Sequence, residues 1–412
     1  MSGLVVIGAS YAGIEAALSA REAGYAEPVT VVADEAWLPY QRPPLSKDFL
    51  LDLVSEQNLI LRDGAFFESG WIDLVLGQRV IAIDRQARRV ELAGGSQLSF
   101  DKLVIATGSH ARRLSVAGAE LDGVCTLRSV ADAIDLKARL RDASEIVVIG
   151  GGFIGLEVAS SAARLGKKVT VIEAAPRLLE RAISAVVSKF LLDAHRAAGV
   201  DVRLGETVAS MIGNAGRIAG VSLTGSARLR ADLVLVGVGG IAADELADAA
   251  GLRCSNGIVV DEHGRTESGD IYAVGDCTNH FNRFSGSWIR LESVQNAQDQ
   301  GRAAGLAIAG RREPYDSVPR FWSDQYDIKL QITGFSARDD NIAIRGSVEE
   351  GRFSVFHYKG GKLIAVDGVN RPGDQMAARR LIAMGVSPSP EQAEDPSFDL
   401  KSLLRAAQRA DA

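Results

Sequence analysis

The chain has 412 residues, of which 47% are hydrophobic, 24% charged and 6% aromatic. This composition is typical of a folded protein with two or three domains. A formal net charge of -6 disfavours nucleic acid and anionic membranes as general partners. No apolar run approaches the roughly 18 residues of a membrane-spanning helix, so we expect neither nucleic acid nor a membrane as partner.

The first predicted element is a strand, Leu4–Ile7, which runs into a glycine-rich turn at Gly8–Gly13. Because this apolar run is short and stops at a glycine, it indicates a strand rather than a signal peptide. A helix follows the turn, and a second strand, Val29–Val32, leads to Asp34. A later strand ends in Ala106–Gly108 after a β-rich, turn-rich stretch.

The same succession of elements occurs again in the middle of the chain. A strand, Ile146–Ile149, runs into the turn Gly150–Gly155 and a helix. The next strand, Val169–Ile172, ends at Glu173, and a later strand ends at Gly239. Two nucleotide-binding domains of the same architecture explain this repeat.

The first pattern resumes after the second ends, with strands up to Asp276 and a helix from Val294. Beyond Pro319 the pattern changes to short strands, a helix over about 375–384, a loop over 387–396 and a polar tail. We therefore predict an α/β protein with two Rossmann-like domains of the glutathione reductase type and a C-terminal α+β domain. The predicted domains are FAD-binding over 1–110 and 238–313, NAD-binding over 111–237, and C-terminal over 314–412.

Each glycine motif follows a strand, opens a helix and precedes an acidic residue at the end of the next strand, and this context is typical of dinucleotide binding. Glycines let a pyrophosphate approach the backbone N–H groups at the positive end of the helix. Asp34 and Glu173 are placed to accept hydrogen bonds from an adenosine ribose. In the first motif Ser10 replaces the second glycine, and its small side chain still permits a close approach.

The acidic residue of the second motif bears on the choice of cofactor. A carboxylate at Glu173 suits the 2′-hydroxyl of NADH and repels the 2′-phosphate of NADPH. Arg177 and Arg181 lie close in sequence and could offset that repulsion. The sequence thus favours NADH and leaves NADPH open.

Six motifs together resemble the NADH-dependent ferredoxin reductases of oxygenase systems, the group of putidaredoxin reductase and the biphenyl dioxygenase reductases. The resemblance spans essentially the whole chain, and its Arg-Pro-Pro-Leu-Ser-Lys and Phe-Trp-Ser-Asp-Gln elements are the most specific. The motifs are Gly8–Gly13, Leu38–Lys47, Ala106–Gly108, Gly150–Glu157, Tyr272–Asp276 and Phe321–Tyr326.

The resemblance implies an FAD site and an NADH site. The residues it assigns to FAD are Gly8, Ser10, Ala12, Gly13, Asp34, Arg42, Lys47, Val80, Ala106, Thr107, Gly108, Arg128, Asp276, Val294 and Trp322. The residues it assigns to NADH are Gly150, Gly152, Phe153, Ile154, Gly155, Glu157, Glu173, Gly237 and Gly239.

In this resemblance Lys47 lies beside the flavin ring and Glu157 near the nicotinamide, and these two residues are the catalytic candidates. A surface cation at Lys47, a core residue at Trp322 and a salt-bridge partner at Arg128 are the alternatives. The chain departs from many relatives after Gly239, where Ile241–Ala243 replaces a Pro-Asn pair, which puts nucleotide contacts of that loop in doubt.

The cysteines decide where the electrons go. Related disulfide reductases use a cysteine pair near the flavin, but residues 36–60 contain no cysteine and the three thiols, Cys125, Cys254 and Cys277, are widely spaced. Reduced flavin must then pass its electrons outward. We expect hydride transfer from NADH to FAD, followed by two single-electron transfers to a two-iron two-sulfur ferredoxin that supplies a haem-thiolate monooxygenase or a ring-hydroxylating dioxygenase.

Ferredoxins are usually acidic, so a net-acidic reductase needs a local basic face. The candidates for this face are Arg302 first, and then Arg62, Arg290 and Arg320. The expected protein is cytoplasmic, holds no metal of its own, and is a monomer or a weak homodimer. The alternatives are a rubredoxin reductase, an NADH oxidase and, less favoured, a redox-controlled scaffold resembling apoptosis-inducing factor.

Overall fold

The computed structural model describes residues 2–336 and 341–410. Its contacts divide the chain into two compact units, which comprise residues 1–41, 56–110 and 240–317 in the first and 42–55, 111–239 and 318–412 in the second. The sequence prediction placed 42–55 in the FAD-binding domain, whereas the contacts group this loop with the second unit. The three-domain division stays a prediction.

The strands of the described residues are numbered in chain order. They are β1 Gly3–Ile7, β2 Val29–Val32, β3 Ile72–Val75, β4 Val80–Asp84, β5 Arg89–Leu92, β6 Gln97–Ile105, β7 Ser109–Ala111, β8 Val124–Cys125, β9 Glu145–Ile149, β10 Lys168–Glu173, β11 Asp201–Leu204, β12 Val208–Asn214, β13 Arg217–Leu223, β14 Arg228–Arg230, β15 Leu233–Val236, β16 Gly240–Ala242, β17 Ile258–Val260, β18 Ile271–Ala273, β19 Thr278–Asn282, β20 Ser287–Ile289, β21 Arg320–Gln325, β22 Ile328–Gly334, β23 Asn341–Ser347, β24 Arg352–Lys359 and β25 Lys362–Val369.

The helices are numbered in the same way. They are α1 Tyr11–Glu22, α2 Glu56–Leu59, α3 Gly64–Ser69, α4 Val130–Asp142, α5 Phe153–Arg164, α6 Ala185–Ala197, α7 Glu245–Ala249, α8 Val294–Ile308, α9 Pro372–Ala383, α10 Pro390–Glu394 and α11 Leu400–Ala410, with short 3-10 helices at Pro43–Ser46 and Gly275–Cys277.

The first unit is built on a parallel sheet in the order β3-β2-β1-β6-β18, and the first half of β6 also forms an antiparallel sheet with β5 and β4. Strands β1 and β2 are apolar almost throughout because both faces of the sheet are covered. This order carries β1 into α1 at the centre of the sheet, where the carboxyl ends of the strands form a crevice.

The second unit repeats this topology in a parallel sheet in the order β11-β10-β9-β15-β8. Its other sheets are the antiparallel β12-β13-β14 and the five-stranded antiparallel β21-β22-β25-β24-β23. The predicted α/β class with two Rossmann-like sheets and a C-terminal α+β part is confirmed.

The end of the chain is more ordered than the sequence analysis predicted. The expected loop over 387–396 contains α10, because Ser389 caps the helix through a reciprocal pair with Gln392 and Pro390 occupies its first turn. The expected polar tail forms α11, which buries Leu400 and Leu404. None of the helices in residues 2–336 and 341–410 has the length and apolar character needed to cross a membrane.

Helices α1 and α8 of the first unit pack with their backbones almost in contact. A Cβ atom on Gly301 would lie 2.5 Å from the carbonyl oxygen of Ala12, and one on Gly305 would lie 2.5 Å from that of Ala16. The facing residues of α1 are small and buried, including Ala16 and Ala20. This close approach holds the first turn of α1 against the sheet.

Replacing Gly305 with alanine should therefore destabilise the first unit, although alanine favours a helix. We expect a loss of about 1–3 kcal/mol from overpacking and a lower melting temperature, with weaker retention of FAD. The measurement is thermal unfolding followed by flavin fluorescence. Gly373→Ala is the matched control, since Gly373 lies in α9 with no atom within 4 Å of an added Cβ, and a Gly305→Ala protein as stable as this control would contradict the packing argument.

Candidate functional site

The first glycine turn leaves the start of α1 open for a ligand. Gly8 has a φ of +109°, and a Cβ there would lie 2.3 Å from the carbonyl oxygen of Ala106. A Cβ on Gly13 would lie 2.0 Å from the carbonyl oxygen of Gly8. Ser10 is the N-cap residue, but its side chain makes no capping hydrogen bond. The N–H groups of the first turn, around Ala12, are thus suited to a pyrophosphate.

The second glycine turn has nearly the same geometry. Gly150 has a φ of +106°, and a Cβ there would lie 2.3 Å from the carbonyl oxygen of Gly237. A Cβ on Gly155 would lie 2.2 Å from the carbonyl oxygen of Gly150. Gly152 caps α5 without a side chain, and the first turn of the helix begins with Phe153 and the exposed Ile154. Both turns fit a dinucleotide on the same physical grounds.

The acidic residues beside the two turns differ in their surroundings. The carboxylate of Glu173 accepts hydrogen bonds from the backbone N–H groups of Gly151, at 2.6 Å, and Ala175, at 2.7 Å. It is therefore held at the mouth of the second turn. Asp34 is exposed two residues beyond β2, while its neighbour Glu35 accepts a 2.6 Å hydrogen bond from the hydroxyl of Tyr40.

Several further predicted FAD residues lie in the first unit at the ends of β6 and β18. The Thr107 hydroxyl donates to the carbonyl oxygen of Ala243 at 2.6 Å, and Gly108 has a φ of +73°. Asp276 lies in the short helix after β18, with the Ser109 hydroxyl 3.5 Å from its carboxylate. The loop in which Ile241–Ala243 replaces the Pro-Asn pair is thus tied to the Thr107 segment.

The remaining predicted residues of the first unit lie at the ends of elements. Val294 is the first residue of α8, where the hydroxyl of Ser293 accepts from the N–H of Asn296 at 3.1 Å. Val80 begins β4 and is buried. Ala106 follows β6, and its N–H donates to the carbonyl oxygen of Ile7.

Of the predicted FAD residues, Arg42, Lys47, Arg128 and Trp322 belong to the second unit. The Arg42 guanidinium donates to the carbonyl oxygen of Arg128 at 2.7 Å, so these two residues lie together. Trp322 is partly buried on β21. Among the predicted NADH residues, the carbonyl oxygen of Gly239 accepts from the N–H of Arg112 at 2.9 Å.

The two catalytic candidates form an ion pair. The Lys47 Nζ lies 3.1 Å from Glu157 Oε1, and both side chains are largely buried, with 13% and 4% exposed. The hydroxyl of Ser323 donates to the same oxygen at 2.7 Å, and the hydroxyl of Ser46 donates to Oε2 at 2.5 Å. Three donors therefore compensate the cost of burying this carboxylate.

Two of these donors, Ser46 and Ser323, were missed by the sequence analysis. Each lies in a motif that carried the family resemblance, next to a residue that was assigned, Lys47 and Trp322 respectively. No short sequence pattern could reveal their role, because Ser46 and Ser323 are separated from Glu157 by 111 and 166 residues in sequence. In the described part of the chain no group of three or more His, Cys, Asp and Glu residues is arranged to hold a metal ion.

Comparison with known proteins identifies the family. Residues 2–301 match the model of the pyridine nucleotide-disulphide oxidoreductases, and residues 320–404 match the reductase C-terminal model. Rhodocoxin reductase of Rhodococcus erythropolis is 44% identical over 401 residues, which cover 97% of this chain and 94% of the relative.

Two solved structures have the same fold over nearly the whole chain. The ferredoxin reductase for the CYP199A2 system from Rhodopseudomonas palustris has a TM-score of 0.95 and 42% identity, covering 98% of this chain and 99% of that one. The covalent putidaredoxin reductase–putidaredoxin complex gives a TM-score of 0.95 at 37% identity, covering 99% of each chain. With two dinucleotide turns and these relatives, the chain belongs to the pyridine nucleotide-disulphide oxidoreductases and, within them, to the FAD- and NAD(H)-dependent ferredoxin reductases of oxygenase systems.

Proposed function

We propose that this protein oxidises NADH and delivers the electrons singly to a two-iron two-sulfur ferredoxin that supplies a haem-thiolate monooxygenase or a ring-hydroxylating dioxygenase. The carrying observation is the pair of glycine turns, in which Gly8 and Gly150 have the same backbone geometry. Following the resemblance in sequence, we assign FAD to the first turn and NADH to the second. When bound, the flavin supplies the step from a two-electron donor to a one-electron acceptor.

The protein's own residues would bind, orient and charge-balance these cofactors. We assign the pyrophosphates to the open helix starts at Ala12 and Phe153, and the adenosine riboses to Asp34 and Glu173. Lys47 would place a cation beside the flavin ring, and Glu157 holds that cation in position at 3.1 Å. The start of α8 at Val294 would stabilise negative charge on the ring, since a helix N-terminus is electropositive.

The state of the thiols supports an external acceptor. All three cysteines are free. Burial raises the pKa of the Cys125 thiol to about 11 and that of Cys254 to about 11, and burial also raises the pKa of Cys277. Protonated thiols are poor nucleophiles. None of the three is therefore suited to relay electrons, and free thiols fit the cytoplasm that we propose as the compartment.

The contacts of Arg177, one of the two arginines that follow Glu173, favour NADH over NADPH. Arg177, which could have bound a 2′-phosphate, instead donates to the backbone carbonyl oxygens of Ile183, at 2.7 Å, and Glu180, at 2.6 Å. Its guanidinium therefore stabilises the loop that contains it through these hydrogen bonds. A 2′-phosphate would meet the carboxylate of Glu173 without compensation from this arginine.

Arg302 is our candidate for docking an acidic ferredoxin. It is exposed on α8, the helix that begins at Val294. Burial raises the pKa of Glu15 on α1, and the positive charge of Arg302 offsets part of that rise. Arg290, another candidate in this unit, is mostly buried in an ion pair with Glu292 and is less suited to docking. We propose a monomer or a weak homodimer as the docking form.

The function is tested with the full-length chain loaded with FAD. NADH should bleach the flavin in a stopped-flow experiment, and an added two-iron two-sulfur ferredoxin should raise NADH-dependent cytochrome c reduction. A variant with Cys125→Ser, Cys254→Ser and Cys277→Ala should retain both activities within about two-fold, because no thiol takes part.

Failure of every ferredoxin tested to raise cytochrome c reduction would overturn the proposal. Rubredoxin-dependent reduction would then identify a rubredoxin reductase, and rapid oxygen consumption without any partner would identify an NADH oxidase. Loss of flavin reoxidation in the cysteine variant would instead indicate a thiol relay.

Glu173→Ala should weaken NADH binding and reduce discrimination against NADPH. Loss of hydrogen bonds to a charged group costs about 1.5–3 kcal/mol, so we expect kcat/KM with NADH to fall by roughly ten-fold or more, while kcat/KM with NADPH falls less or rises. Both values are measured with ferricyanide as acceptor. Glu120→Ala, at an exposed position of the same unit, is the control, and an unchanged NADH to NADPH ratio would rule out the role of Glu173.

Arg302→Glu should slow reduction of the ferredoxin and leave reduction of ferricyanide by NADH unchanged. Charge reversal at a docking surface mainly lowers the association rate, by about ten-fold at low salt, and the effect should shrink as salt rises. Arg89→Glu is the matched control, at an exposed position of β5 in the same unit. Equal ferredoxin kinetics of the two variants at low salt would show that Arg302 does not dock the partner.

A further inference from the structure

A chain of polar side chains in the second unit, buried except at Tyr326, leads from Tyr326 to Glu157. The Tyr326 hydroxyl lies 3.0 Å from Nδ1 of His195, and Nε2 of His195 lies 2.9 Å from Oε1 of Gln325. The amide nitrogen of Gln325 lies 3.0 Å from the hydroxyl of Ser323, which lies 2.7 Å from Glu157. We call these five side chains the polar chain.

The hydrogen bonds of the polar chain all point in one direction. A carboxylate only accepts, so Ser323 donates to Glu157 and must accept from the amide NH2 of Gln325. The amide oxygen of Gln325 then accepts from the N–H at Nε2 of His195, which leaves Nδ1 to accept from Tyr326. Burial lowers the pKa of His195, which favours this neutral imidazole, and burial raises the pKa of Tyr326 to about 12, which keeps its hydroxyl a donor.

Three elements supply the polar chain, and they are fixed to one another at this point. Glu157 comes from α5, His195 from α6, and Ser323 and Gln325 from β21, with Tyr326 in the turn directly after β21. His195 and Ser323 are 0% exposed and Gln325 is 1% exposed. A second contact holds the same junction, since the backbone N–H of Tyr326 donates to the hydroxyl of Ser160 on α5 at 2.8 Å. Removing one member would leave another polar group buried without its partner.

We infer that Ser323, Gln325, His195 and Tyr326 are positioning residues that fix the orientation of Glu157 and, through it, of the Lys47 ammonium. Ser323 and Lys47 both bind Oε1 of Glu157. Because the Ser323 hydroxyl occupies one side of this oxygen, the Lys47 ammonium can bind only on the other side. The amide of Gln325 interrupts any simple transfer of protons, and the polar chain therefore orients a charge rather than conducting one. The inference rests on the proposed placement of Lys47 beside the flavin.

The orientation of Lys47 matters for both rate and potential. A positively charged group beside the flavin stabilises the anionic reduced ring, and the interaction depends on distance and direction. Small displacements of groups around reacting atoms slow a reaction strongly. Disordering the polar chain should therefore slow hydride acceptance and make the flavin harder to reduce, with little effect on NADH binding.

The experiment breaks the polar chain at its centre with Gln325→Met, which keeps the side-chain length and removes both hydrogen-bonding groups. At saturating NADH, flavin bleaching in the FAD-loaded protein should slow about ten-fold, while half-saturation by NADH changes less than about two-fold. The midpoint potential of the flavin, measured with redox dyes in the absence of NADH, should become more negative.

Gln375→Met is the matched control. Gln375 is also buried, and its amide bonds to Thr333 and to the backbone oxygens of Gln331 and Val366, away from the polar chain. We expect a comparable loss of stability with an unchanged potential and bleaching rate. Ser323→Ala should reproduce the Gln325→Met effects. Ser323→Thr keeps the hydroxyl and should therefore keep the bleaching rate and the potential of the unsubstituted protein.

Tyr326→Phe provides a milder variant at the partly buried end of the polar chain. It should change rate and potential in the same direction by a smaller factor, even if Gln325→Met fails to fold. The inference is overturned if Gln325→Met or, where that protein does not fold, Tyr326→Phe matches Gln375→Met in both potential and bleaching rate. Failure of NADH to reduce the flavin of the unsubstituted protein would instead count against the proposed function.

Discussion

A carbonyl oxygen lies against a glycine at the strand-to-helix turn of each Rossmann-like sheet, and the open helix start beside each turn depends on that contact. The oxygens of Ala106 and Gly237 would each lie 2.3 Å from a Cβ on Gly8 and Gly150. Any side chain there would push the helix start away from the adjacent strand end. The close approach starts each helix directly at the carboxyl end of its strand, so that the N–H groups of the first turn face the crevice where the strands end.

Two carboxylates, those of Glu173 and Glu157, are held in place by hydrogen-bond donors of different kinds. Glu173 is held by two backbone N–H groups, whereas the buried Glu157 is satisfied by Lys47 and two serine hydroxyls. A buried charge is tolerated only when its partners are all present. The Lys47 loop, α5 and β21, which supply these partners, lie in one compact unit.

The three cysteine thiols of this chain are not suited to carry electrons. Members of this family that use cysteines reduce disulfides, but here the three thiols are free, and burial raises the pKa of each. The electrons of NADH have no acceptor among these side chains. The relatives that transfer electrons to ferredoxins agree with this state of the thiols.

The sequence by itself determined the two glycine turns, their acidic partners and the fold class, because strand, turn and helix are encoded over short windows. It did not determine that residues 42–55 group with the second unit, nor that α10 and α11 order the tail. The contact between His195 and Gln325 spans 130 residues. Only the tertiary structure decided which polar groups meet Glu157, since a buried hydrogen bond depends on where distant elements pack and leaves no period in the sequence.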